Sequence, residues 1–198
     1  MIGSIGNVIT KLFGKKSDKD VQDISPLVKQ VLHEQEKLKH SSPDELRSNS
    51  DKFRLEIQEY IKPEEDQISK IKSEADKLGI PVKEKEELYK KIDEINKSID
   101  VKIEEVLNKI LPKAFANIRE TARRFKDNDT IEVNASEYEK SIAHLRDNFE
   151  ILEGGKAIYS TTWEAGGNEI KWDMEHYQVQ LVGGVVLHSG KIGEMATG

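Results

Sequence analysis

Apolar residues recur at three- and four-residue steps through most of this chain, the period of an amphipathic helix. Ile2, Ile5, Val8, Ile9, Leu12 and Phe13 form the first stripe, with Gly14 placed to stop it and Lys11, Lys15 and Lys16 at its far end. A second helix is predicted over residues 18–39. Its apolar side carries Val21, Ile24, Leu27, Val28, Val31, Leu32 and Leu38, and Pro26 is expected to kink or restart it. Ser42-Pro43-Asp44-Glu45 reads as a capping box with proline at the first helical position. It opens a third helix to about Tyr60, with Leu46, Phe53, Leu55 and Ile57 as its apolar residues.

The pattern then narrows. Pro63 opens a stretch dense in Lys and Glu in which Ile68, Ile71, Ala75 and Leu78 keep helical spacing. Gly79-Ile80-Pro81 is a turn, and Leu88, Ile92, Ile95, Ile99, Ile103 and Val106 follow at the same period. Residues 63–106 therefore predict an antiparallel helical hairpin closed along a thin apolar seam. Its many Glu/Lys pairs read as solvated support. Pro112 is suited to start another helix, with Ala114, Phe115, Ile118 and Ala122 as its buried stripe. Arg119, Arg123 and Arg124 are candidates for contacts with a neighbouring core or with phosphate; for the last two, a charged outer face is the plainer reading.

Past Lys126 the helical period stops. Asp127-Asn128-Asp129 is a loop, residues 130–133 a short strand, and residues 136–144 a helix. Residues 157–163 and 168–172 flank Gly166-Gly167, a hairpin signal. Trp163 and Trp172 can cover one face of that hairpin, with plain packing preferred over ligand binding. The fold class is thus mainly α with a small β-hairpin.

Composition sharpens this. Charged residues make up 34% of 198 residues and aromatics 6%, a balance richer in solvated helix than in core. A net charge of −6 argues against nucleic-acid binding. Without cysteine there is no disulfide framework and no thiolate metal site, which fits a reducing compartment. Asp127, Asp129 and Glu132 match no calcium-loop spacing, and His33 and His40 lack partners at ligand spacing, so no metal site is expected. No apolar run reaches membrane-spanning length, and no secretory leader is expected. The first stripe has two readings: a helix docked on its own domain, or an interfacial helix suited to anionic lipid.

The chemistry concentrates at the carboxyl end. Residues 178–187 are an apolar run broken by Gly183-Gly184, and Ser189-Gly190 punctuates the chain. Residues 191–195 are expected to form a brief strand leading into the loop Ala196-Thr197-Gly198. A strand running into a small-residue loop is the first half of a phosphate cradle. The lysine and hydroxyl residue that complete such a loop are expected beyond Gly198.

Residues 174–198 resemble the segment of the SecA preprotein-translocase motor that leads into its Walker A loop. Leu111-Pro112-Lys113-Ala114-Phe115-Ala116-Asn117-Ile118-Arg119-Glu120 resembles a second block of that family, and Ser42 to Leu46 a short link near its start. The resemblance implies that Gln180 reads the nucleotide base, with Met174 and Tyr177 lining its pocket. It also implies that Met195, Thr197 and Gly198 belong to the opening of the phosphate loop. A glutamine amide suits the first role because it donates and accepts at once along an adenine edge.

On this resemblance the chain divides into an N-terminal helical region (1–62), an inserted hairpin (63–106), a helix packing on the motor core (107–125), an insertion with a β-hairpin (126–173) and the start of a RecA-like α/β P-loop domain (174–198). The family implies ATP and Mg²⁺ as cofactors in the complete motor. As partners it implies the SecY channel, unfolded preproteins and anionic lipid met by the first helix; a homodimer stays open. It implies a cytoplasmic protein, peripheral on the inner face of the bacterial membrane. No catalytic residue is expected within the chain, which alone should be inactive. Two alternatives stand beside it: another helicase-type ATPase, and a non-enzymatic helical adaptor working through residues 63–106.

Overall fold

The computed structural model describes residues 3–146 and 148–194; for residues 3–18 and Asp20 it describes the backbone alone. Three long helices lead: α1 (Gly3–Leu38), α2 (Pro43–Ala75) and α3 (Val82–Asp127). A β-rich stretch follows, with strand β1 (Thr130–Asn134), the short helix α4 (Glu137–Ile142) continued by a 3-10 turn, and strands β2 (Phe149–Leu152), β3 (Lys156–Ser160), β4 (Thr162–Ala165) and β5 (Asn168–Lys171). Helix α5 (Gln178–His188) comes last. Among the described residues no helix is long and apolar enough to cross a membrane.

The long helices correct several expected boundaries. Gly14 does not stop α1, and Pro26, Pro63 and Pro112 all lie inside helices instead of starting or restarting them. An interior glycine costs only about 1 kcal/mol and a proline about 3 kcal/mol. Around Pro112, burial on either side outweighs such a cost: Ile110, Leu111 and Ala116 are all buried. The lipid-facing reading of the first stripe rests on side chains that lie outside the described ones. Val21, Leu55, Leu78 and Ile118, expected on buried sides, are exposed.

The chain forms two compact units, Arg47–Ala114 and the pair of segments Met1–Leu46 with Phe115–Gly198. In the first, α2 and α3 run antiparallel. Ile61 and Ala75 of α2, and Leu88, Ile92, Val106 and Ile110 of α3, are buried along the seam. Three polar contacts step across it in register: Glu56 with Lys109 at 3.0 Å, Tyr60 Oη donating to Glu105 at 3.0 Å, and Glu64 with Lys102 at 2.5 Å.

In the second unit Val28 and Val31 of α1, Ala116 of α3 and Leu181 of α5 form one buried cluster, with Phe115 and Val182 packed against it. Gly184 is required here, since a Cβ on it would meet Phe115 Cε2 at 2.9 Å. A three-stranded antiparallel sheet, ordered β1-β3-β2, buries Val133, Phe149 and Ala157. Glu139 caps α4 through Ser136 and accepts from the Tyr159 hydroxyl. Gly166 and Gly167, at φ of 60° and 78°, turn β4 into β5, because consecutive positive φ values suit a two-residue hairpin loop. Trp163 lies opposite Ile170, and Trp172, whose backbone N–H donates to the Thr161 carbonyl, packs on Phe125 at 6.0 Å. Thr161, fully buried, ties the β-region to the end of α3 by donating to the Asn128 and Asp129 carbonyls.

Candidate functional site

The amino end of α5 gathers three of the expected base-pocket residues. Tyr177 is the N-cap in extended conformation, yet its side chain makes no capping bond. Gln180, one turn in, supplies the acceptor: its Oε1 takes the Tyr177 N–H at 2.8 Å. That bond fixes the direction of the amide. A carboxamide oxygen has two lone pairs, so Oε1 keeps one acceptor site and the amide keeps its donors. Gln180 is half-buried, while Tyr177 and Met174 are exposed, at 73% and 41%. An amide that both donates and accepts, an exposed aromatic ring and a thioether are the kinds of group that meet the edge and face of a purine.

Residues 172–177, which precede this turn, have no regular structure but are tied down. Trp172 Nε1 donates to the Met174 carbonyl at 2.7 Å. Arg119 of α3 donates through Nε to the His176 carbonyl at 2.8 Å and through Nη2 to Glu175 at 2.9 Å. Its Nη1 donates to Oε1 of Gln35, a buried residue of α1. Gln35 Nε2 in turn donates to Glu175 Oε1 at 3.3 Å. Arg119 thus holds the approach to α5 against two other helices.

Arg123 and Arg124 do not form a solvated outer face. Both grip Glu120, whose side chain is fully buried: Arg123 by two bonds at 2.9 and 2.7 Å, Arg124 through Nε at 2.9 Å. Arg124 also donates to the Leu38 carbonyl at the end of α1. Burial by itself would raise the Glu120 carboxyl, but the bonds and charges of the two arginines outweigh it and hold it down at about 2. The same partnership raises Arg123. With all their directed bonds inside the protein, these arginines are structural and not free for phosphate.

Thr197 and Gly198 of the expected phosphate loop, and Met195 with them, lie outside the described residues. The strand expected over residues 191–195 does not form in its described part, residues 191–194, which are irregular. A lone segment has no neighbouring strand to satisfy its backbone groups. Among the described residues no group of three or more carboxylates or histidines is placed to hold a metal ion.

Sequence reasoning missed Gln35, Glu175 and Glu120. Gln35 continues the buried spacing of Ile24, Val28 and Val31, and a polar residue seated within an apolar stripe was the available signal.

The SecA DEAD-like domain family matches residues 9–198. The chain is 45% identical over 190 residues to the protein translocase subunit SecA of Porphyromonas gingivalis, covering 96% of this chain and 17% of that protein. It is 45% identical over 193 residues to the subunit of the same name from Parabacteroides distasonis, with 96% and 17% covered. Against that of Amoebophilus asiaticus the identity is 44% over 195 residues, with the same coverage. The chain therefore spans about a sixth of the length of these curated relatives. No solved structure gives a significant match.

Proposed function

Because the chain belongs to the SecA DEAD-like domain family, we propose that it is the nucleotide-base-reading, N-terminal part of a motor that couples ATP hydrolysis to preprotein movement through the SecY channel. The relatives are named protein translocase subunits, which supports the transport role. A cytoplasmic motor peripheral on the inner face of the bacterial membrane goes with it, and an anionic-lipid contact belongs to α1. The observation that carries the nucleotide reading is the pre-oriented Gln180 amide beside exposed Tyr177 and Met174. Residues 174–198 then open a RecA-like domain whose phosphate loop includes Thr197 and Gly198.

In this reading Gln180 recognises the adenine edge, while the phosphates and Mg²⁺ are held by residues beyond those described. Affinity for nucleotide in such a loop comes largely from its backbone amides, its lysine and the metal. The 198-residue chain alone is therefore expected to release no phosphate from Mg-ATP above background. Sustained turnover by the pure chain would overturn that division of labour.

The sharper test is Gln180→Glu in the full-length protein. Glutamate keeps the acceptor that caps α5 and loses the amide donors, so helix stability is preserved while base recognition is not. The expected result is a fall of about tenfold in the preference for ATP over GTP, the net worth of about one hydrogen bond, at unchanged melting temperature. An unaltered preference removes Gln180 from base recognition.

A further inference from the structure

We propose that Arg119, braced by Gln35, is a positioning residue for the base-reading edge, acting through a single peptide plane rather than by touching nucleotide. The inference rests on the role given to Gln180 above. The peptide unit between His176 and Tyr177 is gripped from both sides. Its carbonyl accepts from Arg119 Nε at 2.8 Å. Its N–H donates to Gln180 Oε1 at 2.8 Å. A peptide unit is rigid and planar, so any rotation of that carbonyl away from Arg119 also swings the N–H that aims the Gln180 amide. The orientation of the proposed reader is thereby tied to a guanidinium on another helix.

The grip is built to be specific. The three Arg119 nitrogens point to three separate partners, the His176 carbonyl, Glu175 and Gln35. Only the planar fork of a guanidinium meets three fixed directions at once; a lysine ammonium keeps the charge but not the geometry. Gln35 is 4% exposed, and the Arg119 and Glu175 side chains retain only 18% and 20% of their exposure. Gln35 closes the ring by bonding both Arg119 and Glu175. A buried glutamine that satisfies both is costly to replace with an apolar residue.

The experiment uses the full-length protein, with ATP and GTP as probes in steady-state hydrolysis and thermal melting alongside. Arg119→Lys is expected to raise KM for ATP about tenfold and lower the ATP-over-GTP preference, with kcat within about twofold, the pattern of lost binding rather than lost chemistry. Gln35→Met, which leaves the Arg119–His176 bond possible, should give a smaller shift of the same kind and stands in if Arg119→Lys does not fold. Combining Arg119→Lys with Gln180→Glu should change the preference by less than the sum of the two, because both act through one peptide. Equal losses for both nucleotides, or full additivity, would make Arg119 merely structural and overturn the inference. If Gln180→Glu shifts the preference and Arg119→Lys does not, this inference alone falls. If neither shifts it, the base-reading role falls first and takes the inference with it.

Discussion

Glu120 keeps a negative charge where water does not reach it, and the reason is local geometry. On α3 the arginines three and four residues later project over it, so one turn of helix delivers two guanidinium groups to one carboxylate. Removing one member of such a buried group strands the others, at about 3 kcal/mol or more. Glu120→Gln is therefore expected to lower the melting temperature of the chain by roughly 10 °C, read by circular dichroism. The pH dependence has a definite sign. The folded carboxyl sits at about 2 against an ordinary 4.5, so its stabilisation is complete above about 4.5 and is lost as pH falls toward 2. The wild-type melting temperature should decline across that window more steeply than that of Glu120→Gln. Parallel pH profiles for the two proteins would show that the carboxylate contributes nothing ionic. At this scale the sequence was only partly legible. Ala122 was expected and found in the interior, and Ala116 is buried without having been read there; Glu120 and Gln35 hide behind the rule that charged and amide residues face water, and only their spacing betrays them. Ile118 fails in the other direction, exposed at 56% despite its apolar type.

The helical hairpin tests what a seam needs. The period of Ile68, Ile71 and Ala75 extends backwards to Ile61 and Glu64, and that of Leu88 and Ile92 forwards to Lys102 and Val106, at alternating three- and four-residue steps. Glu64 and Lys102 thus occupy seam positions and pair there at 2.5 Å, with Lys102 also 5.6 Å from the centre of the Tyr60 ring. Glu64 Oε2 is buried without a partner, so the pair is not fully compensated. Lys102 holds the Glu64 carboxyl below its usual range, against the opposing effect of burial. A partly satisfied ionic pair in an apolar seam fixes register more than it stabilises. Lys102→Leu alone should therefore destabilise the chain, leaving Glu64 unpaired. Glu64→Leu with Lys102→Leu should recover or exceed wild-type stability in urea denaturation. A double variant less stable than the wild type would make the pair a net source of stability instead. The antiparallel seam was legible because its apolar residues keep strict helical spacing. Helix lengths were not, because Pro63 and Pro112 are local signals whose cost is overcome by burial of residues far away in sequence.

For the whole molecule, the informative fact is that one compact unit is made of two distant segments while the other is the continuous stretch between them. The discontinuous unit closes on itself at the junction. Asn117 Nδ2 donates to the Leu46 carbonyl at 3.0 Å, a buried bond between residues 71 apart in sequence. Asp44 takes both the backbone and the side-chain N–H of Asn134, at 2.9 and 2.6 Å, and Arg124 reaches the Leu38 carbonyl. The chain ends that flank Arg47–Ala114 are therefore already held together by bonds internal to their own unit. The loop-closure cost of joining them directly is small, since the entropy of closure falls with the length of the loop removed. Replacing residues 47–114 by a glycine-containing link of about four residues should leave the remaining unit folded. Among the described residues the hydrophobic clusters at the α1–α5 contact and in the three-stranded sheet are made entirely of residues outside 47–114. The expected readout is a single cooperative melt and a retained near-ultraviolet signal from Trp172, whose ring packs on Phe125. A non-cooperative melt with the tryptophan signal lost would mean that the segment around Gln180 depends on the hairpin for its fold. The Arg119 grip would then need the hairpin present in any assay of its effect.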